Sequence, residues 1–320
     1  MNNKINNNHN QIVHDKINTY LTQLLGDDYC QVHIEPTYDI PIYKPKTKIK
    51  IMKNLVLSAG GIRGIAHIGA LYALNELGML HMIDTFAGTS VGALVVSLYV
   101  VGYSPSEIYD FIRMFDMDKI KNVSILNIEN YGLDSGSKME YVIRKLISAK
   151  GLVEDITLKE LYDLKKKKII MAVTNVNAMD IEYISYDTHP NLSLVKAIRM
   201  SSCIPFMYTP ISYNDCLYID GGCIDDYPIH LFDNLDETIG VYLIPTKNNI
   251  KVINGLDIYI TRVMYCIFEG MSFNSRTGYE KYTIDVHLES INSVDYDLNN
   301  HKKNEMFMKG YAAVIQKFVI

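Results

Sequence analysis

The chain of 320 residues has no tryptophan, no long apolar run and no closely paired cysteines. The longest apolar run, ALVVSLYVV at residues 93–101, is much shorter than the roughly 20 residues that span a bilayer. The five cysteines are irregularly spaced, without the close pairs that bind zinc. We therefore expect no transmembrane segment, no metal site and no disulfide framework, and we interpret the cysteines as reduced core residues.

A signal peptide and a large excess of one charge are also missing. The N-terminus, MNNKINNNHNQ, is polar and lacks the charged stretch followed by an apolar stretch that directs secretion. The formal net charge is −5 at pH 7, so no basic field over the whole surface attracts nucleic acid. We predict a soluble, cytoplasmic or otherwise intracellular protein that binds no nucleic acid and touches membranes only at their surface; its oligomeric state stays open.

The chain divides into a polar extension and an organised region. Residues 1–50 begin with a low-complexity stretch and end in a proline-containing linker, so we expect a partly disordered N-terminal extension. From residue 54 onward, apolar strand-like runs such as NLVLSA alternate with helical segments. This alternation predicts an α/β fold with a mainly parallel central sheet.

The first motif, AGGIRGIAHIGAL at residues 59–71, follows a predicted buried strand and opens a predicted helix. Its glycines allow a sharp turn that exposes backbone N–H groups, and the helix N-terminus adds positive charge. Such a loop binds an anion, which is either a phosphate or a developing oxyanion. A dinucleotide fingerprint would place a ribose-binding acid near Asp84, but Arg63 would crowd the pyrophosphate and Asp84 begins rather than ends the next strand.

The second motif, GTSVG at residues 88–92, places a serine between two glycines where a predicted strand meets a predicted helix. This pattern at such a junction is typical of a nucleophile elbow, a tight turn that exposes the serine Oγ at a strand end. Gly88 and Gly92 could instead form an ordinary turn without chemistry. Ser90 is a candidate nucleophile, and it needs a base because a free serine hydroxyl attacks poorly.

No histidine fits the position of that base. The histidines after Ser90 follow no predicted strand end, and His67 lies inside a predicted helix, which favours a packed core histidine. Asp220 ends the predicted strand CLYID, before two glycines. Because parallel strands end at one edge of a sheet, we expect Asp220 beside Ser90, where a desolvated carboxylate can take the serine proton. A turn-forming aspartate is the alternative.

The order of these motifs resembles that of the patatin-like phospholipase family. A strand precedes GGIRG, the GTSVG elbow follows, and DGG comes 130 residues after the serine. The segments AIRMSSCIPFMYTPI and DDYPIH are also similar to the stretches that flank DGG in the family. The similarity is specific over residues 55–233 and weaker afterwards, although KGYAAV at residues 309–314 resembles the final helix of many members.

The resemblance implies a three-layer α/β/α sandwich that hydrolyses acyl esters of membrane lipids, as a phospholipase A or lysophospholipase. It implies a catalytic core over residues 51–233, with residues 234–320 supplying further strands and closing helices of the same domain. It implies a lipid substrate met peripherally at a membrane surface, with no cofactor and no metal. A catalytically silent relative that binds lipid or a partner protein is the alternative.

The family's functional residues carry over to matching positions. Ser90 is the expected nucleophile and Asp220 the expected general base. The other expected site residues are the oxyanion-hole loop of Gly60, Gly61, Arg63 and Gly64, the elbow residues Gly88, Val91 and Gly92, and the Asp-Gly-Gly glycines Gly221 and Gly222. One departure is Ala59, where many members have glycine.

Two segments are expected near the site. Residues 118–156, with GLDSGSKM, resemble the family region that approaches the active site, and we expect them to cap it. Residues 97–117 contain aromatic residues and methionines that either line an acyl groove or simply pack in the core. Ordinary helix packing is the favoured interpretation.

Overall fold

The computed structural model describes residues 51–115, 117–244, 251–288 and 299–319. The expected extension over residues 1–50 lies outside the described residues. The described strands are β1 (Asn54–Leu57), β2 (Thr85–Thr89), β3 (Gly132–Asp134), β4 (Lys168–Asn175), β5 (Asp180–Ile184), β6 (Phe206–Tyr208), β7 (Ile211–Tyr213), β8 (Cys216–Asp220), β9 (Thr238–Ile244) and β10 (Thr283–His287). The described α-helices are α1 (Ile65–Glu76), α2 (Val91–Val101), α3 (Pro105–Met114), α4 (Ser137–Ala149), α5 (Leu158–Lys165), α6 (Leu194–Ser201), α7 (Leu256–Ser275) and α8 (Asn300–Phe318).

The main sheet is mixed, with a parallel centre. Its parallel part runs in the order β10-β9-β1-β2-β4, so β1 lies between β9 and β2. Strands β5, β8 and β7 extend it with antiparallel pairs. The expected mainly parallel α/β sheet is therefore confirmed. Since β9 and β10 pair beside β1, residues after 233 belong to the same sheet as the earlier strands.

Alternate residues of β1 show the two covered faces of this sheet. Leu55 and Leu57 join the larger apolar cluster, which includes side chains of α1 through α6 and of α8. Val56 points to the opposite face, as the period of two in a strand requires, and packs with Tyr227 and Tyr242. Short 3-10 turns at Pro228–Leu231 and Glu280–Tyr282 contribute to that second cover. The expected three-layer arrangement is confirmed, with short helical turns in one outer layer.

Strand β8 does not run in the direction that the sequence predicted. Residues 171–175 of β4 pair with β5 along one edge, so β2 and β8 must share the other edge. There Thr89 lies opposite Ala172, and Asp220 lies opposite Val173 in antiparallel register. Strands β2 and β8 therefore meet end to end along β4. The expectation that β8 runs parallel to β2 was wrong. Asp220 nevertheless lies beside Ser90, because the C-terminal ends of β2 and β8 meet along β4.

Helices α1 and α8 cross at very short range because each has a glycine at the contact. A Cβ on Gly69 would lie 1.9 Å from the backbone oxygen of Phe307, and a Cβ on Gly310 would lie 1.8 Å from that of Ala66. Both positions are helical, so the lack of a side chain matters for space rather than for backbone conformation. The segment KGYAAV at residues 309–314 forms part of this contact, within α8.

Substituting Gly310 with alanine is expected to lower the free energy of unfolding by about 2–4 kcal/mol, because backbone atoms of α1 must move away. Gly270 in α7 is the matched control, since a Cβ there meets no atom within 4 Å. Gly270→Ala is expected to change stability by less than about 1 kcal/mol. Urea unfolding followed by circular dichroism measures both, and equal midpoints for the two variants would contradict the close crossing.

Among the described residues, no helix combines the length and the apolar character that crossing a bilayer requires.

Candidate active site

Ser90 occupies the tight turn between β2 and α2. Its backbone is strained, with φ 55° and ψ −121°, a conformation that non-glycine residues rarely adopt. The flanking glycines are required by space: a Cβ on Gly88 would lie 2.6 Å from the backbone carbon of Gly92, and a Cβ on Gly92 would lie 2.4 Å from the carbonyl oxygen of Leu57. The turn therefore has the geometry of a nucleophile elbow rather than of an ordinary β-turn.

Asp220 lies directly against the serine. The Ser90 hydroxyl donates a hydrogen bond of 2.6 Å to Asp220 Oδ2, and the Gly222 N–H donates one of 2.8 Å to Oδ1. Thr174 Oγ1 donates to the Asp220 carbonyl oxygen at 3.0 Å, and the Asp220 N–H donates to the carbonyl of Cys203 at 2.9 Å. The carboxyl group is thus fixed in position on both sides, and both dyad candidates are buried.

The pKa of Asp220 is raised from 3.8 to about 7. Burial is the main cause because it disfavours the charged carboxylate, and the nearby charge of Asp226 acts in the same direction. The hydrogen bonds from Ser90 and Gly222 act in the opposite direction. Asp226 is itself buried and accepts a 3.0 Å hydrogen bond from the Tyr242 hydroxyl. A carboxyl group with this pKa can both take and return a proton near neutral pH.

The glycine loop after β1 borders the same site. Gly61 has φ 56°, in the left-handed region that favours glycine, and it begins a 3-10 turn that ends at Gly64. The N–H groups of Gly60 and Gly61 hydrogen-bond to no other described residue. Arg63 holds the loop, because its Nε donates to the Gly60 carbonyl at 3.2 Å. These two N–H groups are therefore available to an anion or a carbonyl oxygen.

Gly64 lets this loop approach the elbow. A Cβ at Gly64 would lie 2.1 Å from a methyl group of Val91, the residue that follows Ser90. A side chain at this position would push the glycine loop away from α2. The predicted glycines at 60, 61 and 64 and the elbow glycines thus lie together around Ser90, and Gly221 packs against the backbone of Ala172 below it.

Ser90 and Asp220 open into a cavity of about 510 Å³. Gly60, Gly61 and Arg63 line it near the serine. Most of its remaining wall comes from three places, residues 120–134, residues 204–208 and α7, and apolar side chains predominate there. A cavity of this size and character accommodates an acyl chain beside the serine.

His67 is not part of this site. It is fully buried in α1, and its Nε2 hydrogen-bonds to the Ser58 carbonyl at 2.8 Å, so the ring donates through that nitrogen. Burial lowers the pKa of His67 to about 4, so the ring is neutral. The interpretation as a packed core histidine is therefore consistent with its surroundings.

The structure distinguishes the two segments that were expected near the site, residues 97–117 and residues 118–156. None of the described side chains in residues 97–115 lines the cavity, and Tyr103, Phe111 and Phe115 are buried in the core. Core packing is thus the correct interpretation there. The 118–156 segment does reach the site, because Ile120, Val123 and other residues up to Asp134 line the cavity. No described group of three or more His, Cys, Asp or Glu side chains is arranged to hold a metal ion.

Ser201, at the end of α6, was not among the predicted site residues. Its buried Oγ accepts a 2.9 Å hydrogen bond from the Ser90 N–H and donates one of 2.8 Å to the carbonyl of Ala172. The strained backbone of the nucleophile is thus held by a side chain from a distant helix. The only signal in the sequence is a serine pair after an apolar helical stripe, which does not reveal this partner.

Replacing Ser201 with alanine is expected to lower kcat about 10–100-fold with little change in KM, since the Ser90 N–H loses its acceptor and the elbow can shift. Ser97→Ala is the matched control, because Ser97 is an equally buried serine that bonds only within α2, to Ala93. Steady-state kinetics of ester hydrolysis measure both. Equal kcat values for the two variants would mean that Ser201 does not position the elbow.

The chain is similar in sequence to known proteins. The sequence profile of the family described as patatin-like phospholipase matches residues 55–233. The chain is 29% identical over 288 residues to "Uncharacterized protein R571" of Acanthamoeba polyphaga mimivirus, covering 84% of this chain and 94% of that one. It is 31% identical over 206 residues to "Probable lipid hydrolase 463L" of Invertebrate iridescent virus 6, covering 62% of this chain and 69% of that one.

The fold has a counterpart among solved structures. The crystal structure of VipD from Legionella pneumophila matches with a TM-score of 0.59 at 18% identity, covering 84% of this chain and 67% of that one. At this identity the match concerns the fold alone.

Proposed function

This chain belongs to the patatin-like phospholipase family and is a lipid ester hydrolase; we propose that it cleaves acyl esters of glycerophospholipids or lysophospholipids through a Ser90 acyl-enzyme. The observation that carries the proposal is the 2.6 Å hydrogen bond from Ser90 Oγ to a buried Asp220 at the base of an apolar cavity. Ser90 is the nucleophile and Asp220 the general base.

The acylation step follows from the hydrogen bond. Asp220 Oδ2 takes the hydroxyl proton while Ser90 Oγ attacks the ester carbonyl carbon, which gives a tetrahedral oxyanion. The N–H groups of Gly60 and Gly61, and that of Val91, are the proposed oxyanion donors, each worth roughly 3–4 kcal/mol when well placed. Asp220 then returns the proton to the departing alcohol oxygen, and the fatty acyl group stays on Ser90.

Deacylation repeats these steps with water. Asp220 takes a proton from a water molecule that attacks the acyl carbonyl, and the same N–H donors stabilise the second oxyanion. Collapse of this intermediate returns the proton to Ser90 Oγ and releases the fatty acid. The apolar cavity wall holds the acyl chain, and Arg63 and Lys121, which also line the cavity, favour the phosphate of a phospholipid head group.

Two assays together test the proposal. Wild-type protein is incubated with vesicles of phosphatidylcholine and with lysophosphatidylcholine, and fatty-acid release is measured. Labelling by a fluorophosphonate probe, which traps activated serines, is measured on the same samples. We expect release and labelling together. Absence of both, in a protein that is folded by circular dichroism, would favour a catalytically silent, lipid-binding relative instead.

A further inference from the structure

Helix α7 is apolar on two sides, which the catalytic site does not explain. Its stretch YITRVMYCIF at residues 259–268 carries a single charge, Arg262. A surface helix of a globular protein normally has an apolar stripe toward the core and a polar opposite side. A helix with apolar side chains on its exposed side as well as its covered side indicates an apolar partner outside the protein.

The inner stripe of α7 belongs to the cavity. Ile260, Met264 and Phe268 recur every four residues, so they lie on one side of the helix, and all three line the cavity that contains Ser90. The outer stripe is displaced from it by one residue. Tyr259, Val263 and Ile267 recur with the same spacing and are 55%, 38% and 42% exposed. The outer stripe is therefore partly open to solvent.

A second apolar surface borders the same cavity. The segment 123–131 contains a 3-10 turn, Ile125–Asn130, none of whose side chains is buried. Its exposed apolar residues are Val123, Ile125, Leu126, Ile128 and Tyr131. Val123 and Phe206 are 66% and 55% exposed and also line the cavity, so apolar surface continues from the outside of the protein into the site.

We propose that these surfaces form one docking face, made of the outer stripe of α7, the segment 123–131 and Phe206, and that this face lies on a phospholipid bilayer. The inference rests on the proposed function. An acyl chain must pass from the bilayer to Ser90 without crossing water. Apolar rims that continue into the cavity provide that path, because they can enter the acyl region of the outer leaflet.

Charge near the docking face suits an anionic leaflet. Lys138 Nζ donates to the backbone oxygens of Lys119 and Lys121, at 3.4 and 3.1 Å. The Lys138 ammonium group therefore lies beside the backbone that leads into segment 123–131, and Lys121 lines the cavity itself. Lysines at the edge of an inserted apolar face add attraction to anionic head groups. A second copy of the chain on this face would instead cover the rims through which the substrate must enter.

Vesicle binding of the Ser90→Ala protein tests the docking face without any hydrolysis. Two paired variants replace exposed apolar side chains that do not line the cavity with uncharged glutamine: Ile125→Gln with Leu126→Gln, and Val263→Gln with Ile267→Gln. The control pair is Val153→Gln with Leu164→Gln, which are 73% and 64% exposed and are absent from the cavity wall. Flotation with phosphatidylcholine vesicles, with and without phosphatidylserine, gives the bound fraction.

Each docking-face pair is expected to lower vesicle affinity by about tenfold or more, while the control pair binds like its parent. With Ser90 restored, the same pairs are expected to lower fatty-acid release from vesicles but to hydrolyse a water-soluble short-chain ester within about twofold of wild type. Equal vesicle affinity in all variants overturns the docking face. The docking face is also overturned if the protein does not bind vesicles and instead forms a dimer that the docking-face substitutions dissociate. Vesicle binding without any fatty-acid release overturns the proposed function and leaves the docking face standing.

Discussion

Replacing Ser90 with alanine is expected to lower kcat for lipid ester hydrolysis by about 10⁴-fold or more and to abolish labelling by a fluorophosphonate. The oxygen of Ser90 is the atom that forms the acyl-enzyme in the proposed mechanism. A water molecule in place of the Ser90 hydroxyl would be held neither by the strained elbow backbone, at φ 55°, nor by the 2.6 Å hydrogen bond to Asp220. Fatty-acid release from vesicles and gel detection of the labelled protein measure the two losses.

Ser202→Ala is the control for this experiment. Ser202 is also buried close to the site, but its hydroxyl donates within α6, to the carbonyl of Ile198. It is expected to retain labelling and most of the activity. If Ser90→Ala keeps both, another residue is the nucleophile, and the hydrogen bond to Asp220 is structural.

Local turn chemistry made the elbow predictable from sequence. Gly88 and Gly92 are needed because backbone atoms occupy the space that their side chains would take. Both glycines belong to one motif of five consecutive residues, so the requirement is visible in the local sequence. In the loop after β1, side-chain atoms of Leu243 and Val91 occupy the space that a Cβ on Gly60 or Gly64 would take, and Gly61 has φ 56°. A motif on a strand–turn–helix junction carries its own geometry, so its fold context and its position could be predicted together.

Pairing between distant segments could not be predicted in this way. The direction of β8 depends on how residues 211–220 return to the sheet, and both directions put Asp220 at a strand end. Ser201 contacts Ser90 across 111 positions of the sequence, so no local pattern announces it. Long-range register of this kind is set by tertiary packing.

Further strands and closing helices were expected over residues 234–320, but the positions of α7 and β10 were not predicted. Periodicity analysis identifies helices by a contrast between apolar and polar sides, and α7 shows apolar residues on two adjacent sides. Such a pattern is neither a regular amphipathic helix nor a strand. The exposed apolar side of α7 is also the feature on which the proposed docking face rests.

Asp220→Asn is expected to lower kcat by about 10³-fold or more, because the amide cannot accept the proton of Ser90. In the wild type, Asp220 must be ionised to act as a base. Because the pKa of Asp220 is raised to about 7, kcat/KM is expected to rise with pH through a midpoint near pH 7 and to level off above it. A pH–rate profile of a water-soluble ester measures this, and a midpoint below about 5 would contradict the raised pKa of Asp220.

The same substitution is expected to stabilise the protein at high pH. The folded-state pKa of Asp220 lies above its unfolded value of 3.8, so between those pH values the folded state holds a proton that the unfolded state has lost. The protonated Asp220 carboxyl group therefore stabilises the folded state fully below about pH 4, and this stabilisation is lost as pH rises through about 7. Asparagine does not titrate, so Asp220→Asn should match the wild type near pH 4 and exceed it at pH 8 by up to about 4 kcal/mol.

Urea unfolding of both proteins between pH 4 and pH 8 measures this difference. His67, whose pKa is lowered to about 4, is neutral in the folded state and adds its own pH dependence, but it is present in both proteins and cancels. Asp84→Asn is the control for the loss of a carboxylate, because the Asp84 side chain is 67% exposed. A gap between wild type and Asp220→Asn that stays constant with pH would mean that Asp220 is ionised in the folded protein throughout this range. An ionised Asp220 could still accept the Ser90 proton, so this result would contradict the raised pKa of Asp220 and not its role as the base.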